Sequence, residues 1–243
     1  MMTRARAAFL LLLALCVALP ARAQAPDSTP CVRASQASES ELVRWDCAGS
    51  GPRARVRFSV SLPAGFTVRQ SQGWNVQLMA ERGAARVRVQ AADQLWESVT
   101  AADTAEFWAF AAELVLGRAP TPREVGELRR DAGDEDGARF MVSRTQRTDS
   151  GLVALASALA TALPGVETVG QMREIRTLGG LRAGYLNEIT RRDGEISESE
   201  GWGTVQDAVF YGIVIAAPDA EYRANRALWE RVVASFTLHP AER

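Results

Sequence analysis

Leu181-Arg-Ala-Gly-Tyr-Leu-Asn-Glu-Ile-Thr190, a polar stretch from Arg191 to Glu200, and Val209-Phe-Tyr-Gly-Ile-Val-Ile215 within a run from Gly203 to Ala217 decide the fold. Two apolar runs on either side of a charged tip are two strands folded back on each other. Upstream, Val169 to Leu178 leads through Gly179-Gly180 into the first of them. Downstream, Pro218-Asp219 opens a helix with an apolar stripe of Tyr222, Leu228, Trp229, Val232, Val233 and Phe236. The frame is an antiparallel sheet closed by a terminal helix.

The front of the chain extends that sheet. In Arg55-Val-Arg-Phe-Ser-Val-Ser-Leu62, Val56, Phe58, Val60 and Leu62 share one face, with arginine or serine on the other. Pro63-Ala-Gly65 turns the chain. Val76 and Leu78 mark another strand, Arg86-Val-Arg-Val-Gln90 alternates again, and Glu81 to Ala84 makes the hairpin between them.

The period then changes. Asp103 and Glu106 form a capping box, Phe107, Phe110, Ala111, Leu114 and Val115 follow at helical spacing, and Gly117 supplies a stop. Thr121, Pro122 and Glu124 combine cap, first-turn proline and capping box for a second helix, which has few apolar residues and lies on the surface. Ala138-Arg-Phe-Met-Val-Ser143 is expected to be a strand. Leu152 to Leu163 has no charge, and its only polar positions are Ser157 and Thr161, so it is a buried helix. The expectation is one α+β domain from Ala54 to Arg243, an antiparallel sheet packed by about four helices.

Three segments resemble the PsbP-like superfamily, which includes the DcrB-type bacterial envelope proteins. Phe58-Ser-Val-Ser-Leu-Pro-Ala-Gly-Phe66 is similar to its opening strand and turn. Leu178-Gly-Gly-Leu-Arg-Ala-Gly-Tyr185 is similar to its glycine-marked central strand. Pro218-Asp219 and the helix running to Ala234-Ser-Phe236 resemble its ending. The resemblance covers Ala54 to Leu238. The stretch from Ala119 to Gly170 is longer than the pattern needs, and the cysteine pair lies outside it. The resemblance implies an antiparallel sheet packed by helices and a non-enzymatic role in binding or assembling other proteins.

The start of the chain bears on location. Met1-Met-Thr-Arg-Ala-Arg6 is basic, Ala7 to Leu19 is uncharged, and Ala21-Arg-Ala23 supplies small residues after Pro20. This is a secretory signal peptide ending at Ala23. Its apolar run is shorter than the roughly 20 residues a membrane span needs, and no arginine pair marks the twin-arginine route. A periplasmic or extracellular product delivered by general secretion is expected, with no integral span after cleavage. Gln24 to Arg53 is then a polar leader and a disulfide-pinned entry segment. Cys31 and Cys47 remain after cleavage, an even pair in an oxidising compartment, so they are expected to bond.

Composition excludes several chemistries. All 28 basic residues are arginine, which removes lysine Schiff bases, serine–lysine dyads and a P-loop lysine. The single histidine is His239, so neither a multi-histidine zinc site nor a buried histidine triad can be assembled. Three basic and no acidic residues lie before Gln24; the processed chain carries 25 basic and 29 acidic side chains, a net charge of −4. That balance points to no nucleic-acid partner. Asp131-Ala-Gly-Asp-Glu-Asp-Gly137 looks like a calcium loop, but alignment on Gly137 puts Ala132 and Ser143 at two essential ligand positions. No metal and no cofactor are expected; Asp134 and Asp136 belong to a solvated turn before a strand.

Glu195, Glu198 and Glu200 are expected on a water-exposed face, and no histidine is placed to activate a serine. Gly201-Trp-Gly203 sets an indole between two glycines near a hairpin end. An exposed indole there would anchor a partner; one folded onto the sheet edge would be core. Trp202, and Trp74 after Gly73, are the partner-binding candidates. The leading expectation is an exported, non-enzymatic envelope protein that binds another protein. The alternatives are a carrier of a small apolar ligand between the sheet and the Leu152–Leu163 helix, and an enzyme using carboxylates or tyrosine.

Overall fold

The computed structural model describes residues 31–34, 41–49, 56–70, 76–93, 104–116, 118–159 and 166–239. The expected signal peptide, Trp74, Asp103 and Gly117 lie outside them. Strands β1 (Cys31–Arg33), β2 (Leu42–Ala48), β3 (Arg57–Pro63) and β11 (Thr237–Leu238) form one antiparallel sheet in the order β1-β2-β3-β11. Strands β4 (Thr67–Gln70), β5 (Val76–Arg82), β6 (Ala85–Asp93), β7 (Glu167–Leu178), β8 (Leu181–Arg192), β9 (Glu195–Gln206) and β10 (Val209–Pro218) form a larger one, ordered β4-β5-β6-β10-β9-β8-β7. The single sheet expected from the sequence is therefore two. Strands β1 and β2 join the smaller one, because β2 pairs with β3 along its length and β1 pairs with β2.

Six helices are present among the described residues: α1 (Thr104–Leu116), α2 (Pro122–Ala132), α3 (Glu135–Gln146), α4 (Asp149–Leu159), α5 (Asp219–Ala224) and α6 (Arg226–Ala234). Two more than the expected four arise in different ways. The terminal helix divides at Asn225, whose side-chain amide donates to the Glu221 carbonyl at 2.9 Å. And Ala138–Ser143 is helix, not strand. Asp134 caps it by accepting from the Gly137 N–H at 2.8 Å. Ala138, Arg139, Val142, Ser143 and Gln146 are buried, which is a spacing of four. Cap and period override the strand preference of Phe140 and Val142, and Phe140 turns to solvent, 67 % exposed.

The strand expected from Gly203 to Ala217 is a hairpin. Asp207 and Ala208 both have positive φ, 52° and 61°, and join β9 to β10 in a two-residue turn. The polar tip expected from Arg191 to Glu200 contracts correspondingly to Asp193-Gly194 between β8 and β9.

Alternation along each strand of the large sheet separates two faces. On one, Leu78, Val87, Val89, Ile213 and Ile215 meet Phe58, Val60 and Leu62 of β3 and Trp229 and Val232 of α6 in one core. On the other, Val205 and Phe210 meet Leu155 of α4. A second cluster, with Phe107, Trp108, Leu128 and Val142 from α1, α2 and α3, buries Ala208. Gly184 and Gly203 let α4 approach backbone to backbone: a Cβ on Gly184 would lie 1.8 Å from the Leu152 carbonyl oxygen. Cys31 and Cys47, directly opposed in the β1–β2 register, are disulfide-bonded.

Candidate binding site

A cleft opens where α6 crosses the end of the β7–β8 hairpin. Leu228, Trp229 and Val232 turn inward on α6, so Glu230, Val233 and Ala234 border the opening. The hairpin reverses at Gly179-Gly180, with φ of +59° and +80°; L side chains rarely adopt that conformation. Phe236 packs beside Gly179 and closes the end. The cleft holds about 530 Å³, with Arg176 and Thr177 of β7 on one rim, Glu230 on α6 and Trp202 within its lining.

Trp202 does not stand on an exposed tip. It sits in β9, opposite Tyr185 of β8 and Ile213 of β10, and is 5 % exposed. Its ring lies 5.1 Å from that of Tyr185, centroid to centroid. Gly203 faces α4, where a larger side chain would press on Phe210 and the α4 backbone at 3.1–3.2 Å. Its role is helix packing, and the indole one residue before it lies on the opposite face as part of the cleft lining. On β7, the Arg176 guanidinium lies 3.4 Å from the centroid of the Tyr185 ring.

Along the same face the lining turns polar. The Tyr185 hydroxyl donates to Glu200 Oε1 at 2.6 Å, and Asn187 Nδ2 donates to Glu198 Oε1 at 2.8 Å. The Tyr222 phenol lies in the field of the same Glu200 carboxylate. Burial pushes both phenols above their ordinary range, and the Glu200 carboxylate adds to it. Both stay protonated at neutral pH. Of the three glutamates expected on a water-exposed face, Glu195 is exposed, while Glu198 and Glu200 are half-buried. They lie two apart on one strand, so they share a face with Trp202.

The remaining sequence candidates are elsewhere. The Cys31–Cys47 bond lies in the small sheet. The Asp134 carboxylate caps α3, and Asp136 lies within the first turn of that helix, where a turn before a strand was expected. His239, against expectation, does meet a serine: its Nε2 is 3.1 Å from Ser59 Oγ. Ser59 is buried, and its cross-strand neighbour Asp46 is held by Arg44 at 2.9 Å, so that carboxylate serves an arginine. Sequence reasoning missed Arg176, Tyr185, Tyr222 and Glu230, because the cleft assembles them from strands and a helix distant in the chain. The one available signal was the two-residue spacing of Glu198, Glu200 and Trp202.

No family model matches the chain, and no curated protein matches it. Among solved structures, it is similar to cyanobacterial PsbP from Synechocystis, at a TM-score of 0.43 and 11 % identity over 85 % of this chain and 97 % of that one. It is also similar to LpqN, described as involved in cell envelope biogenesis of Mycobacterium tuberculosis, at 0.37 and 15 % over 83 % and 93 %. A third is the Ran-binding protein Mog1p of Saccharomyces cerevisiae, at 0.32 and 10 % over 81 % and 96 %. The first of these bears the name of the superfamily that the sequence resembles.

Proposed function

We propose that this is an exported, non-enzymatic envelope protein that binds another protein through the cleft between α6 and the β7–β8 hairpin. The observation that carries the reading is the lining of that cleft: an indole, with an arginine and a glutamate from different elements beside it. Tryptophan and arginine set in a pocket are the composition of interface hot spots. Trp202, 5 % exposed, forms the floor of this concave site, in place of an exposed tip. The carboxylates beside it accept from Asn187 and the Tyr185 phenol, an arrangement that holds a surface in shape. The basic start and apolar run at the N-terminus, together with the Cys31–Cys47 bond, support export. Among the described residues, no helix is long and apolar enough to cross a membrane.

Site-specific photocrosslinking in the native envelope tests this. A crosslinker at Ala234, on the cleft border, should yield one recurring heterologous adduct. A crosslinker at Arg130 on α2 should not, and Thr237→Trp, which fills the cleft, should remove the Ala234 adduct. Adducts common to both positions, or indifferent to Thr237→Trp, would reject the cleft as the binding site.

A further inference from the structure

Among the described residues, three of the four sheet edges are short: β1 has three residues, β11 two and β4 four. The fourth, β7, has twelve. Strand β8 occupies one side of it throughout, and no strand among the described residues occupies the other. Long open edges are templates for further pairing, and proteins ordinarily shorten, bulge or cover them. Here the only irregularity is a register shift between Thr168 and Gly170. Beyond it, Met172-Arg-Glu-Ile-Arg-Thr-Leu178 is regular, without proline, and its Met172 is 45 % exposed.

This segment is complementary to itself in reverse. Laid antiparallel against a second copy and centred on Ile175, it places Ile175 on Ile175, Glu174 on Arg176 twice, Arg173 on Thr177, and Met172 on Leu178. Paired residues are an even number apart, so each falls on the same sheet face as its partner. Glu174 and Arg176 already pair within one chain; the second copy turns that pair into a square of alternating charge. Other registers fail. Centring on Arg173 opposes two arginines, centring on Glu174 opposes two glutamates, and centring on Met172 runs into the register shift.

We propose that the protein forms a two-fold homodimer by antiparallel pairing of Met172–Leu178 of β7 with the same segment of a second copy, continuing the large sheet across the axis. The interface is isologous, as a closed two-fold contact requires. It goes beyond the cleft reading and has its own readout, the mass of the particle.

The test is sedimentation velocity on the folded chain and two charge variants. Wild type should shift from monomer to dimer as concentration rises. Glu174→Arg and Arg176→Glu should each lose the dimer, because each opposes like charges. Mixed one to one, they should regain it as a heterodimer, since every 174–176 contact again joins opposite signs. Circular dichroism confirms that each variant is folded. Should either fail to fold, Ile175→Cys replaces it: opposed residues across an antiparallel pair have Cα atoms about 4.5–5.5 Å apart, within disulfide reach, so this variant should crosslink copies and Thr168→Cys should not. A wild type that stays monomeric at millimolar concentration overturns the proposal. So does a dimer that survives both charge variants, a mixture that recovers nothing, or equal crosslinking from both cysteines.

Discussion

Gly184 is where the large sheet lies against α4 with no space for a side chain. A methyl group there meets the Leu152 carbonyl at 1.8 Å, inside any real contact distance. Gly184→Ala should therefore force α4 off the sheet and destabilise by about 3 kcal/mol, at the upper end of overpacking effects, read as a lower urea midpoint at unchanged slope. Trp202→Ala should lose about 3–5 kcal/mol, as buried aromatic truncations do; a loss below about 0.5 kcal/mol in a urea titration would place the ring outside the core. The phenols give a pH prediction. Tyr185 and Tyr222 titrate above the ordinary phenol range in the folded protein, so the unfolded chain releases those protons first. Their contribution is complete below the unfolded value of about 10 and is lost as pH rises through the folded values. The urea midpoint should fall above about pH 10, and the Tyr185→Phe, Tyr222→Phe double variant should flatten that fall. The window is clean: the chain has no lysine and only three tyrosines.

Elements were legible where period and cap agreed. The apolar faces of β3 and β6, the hairpin at Gly83 and the start of α2 all follow from local pattern. At α2, Thr121 accepts from the Glu124 N–H, and Glu124 accepts in return from the Thr121 N–H at 2.8 Å. Arg118 first, and Thr121 second, hold the Glu124 carboxyl down to about 2. Misreadings arose where chemistry was atypical for its role. Asp207-Ala208 is not an Asp-Gly turn; Ala208 is held at positive φ by burial among α1, α2 and α3. In α3, the apolar content of Ala138–Ser143 favoured a strand, while the Asp134 cap and a buried Arg139 paired with Glu135 at 2.8 Å favoured a helix. Asp134→Ala should lower stability by about 1 kcal/mol, with thermal melting followed by circular dichroism as the measure. A change near zero would mean that packing alone sets the start of α3.

At the scale of the molecule, sequence patterns indicated α+β class, antiparallel pairing and the terminal helical segment, but not the division into two sheets. That division depends on β2 and β11, which are short or charged and gain their place only by pairing with β3. The cleft was equally hidden, since Arg176, Trp202 and Glu230 meet only after the sheet and α6 are packed. Replacing Cys31 and Cys47 with serine should cost about 3 kcal/mol in the chain-entropy model, read from the urea midpoint, and denatured, unreduced protein should show neither of them as a free thiol. The neighbours of β3 carry a different consequence. One neighbour, β2, lies a few residues upstream; the other, β11, pairs Thr237 with Ser59 across almost the whole described chain. During synthesis, β1 and β2 can pair to β3 early, while the far edge of β3 stays bare until the final described strand emerges. Contacts of such long range slow folding. A chain stopped anywhere short of Thr237 would thus present an unfinished strand edge, which is the surface a folding helper would have to shield.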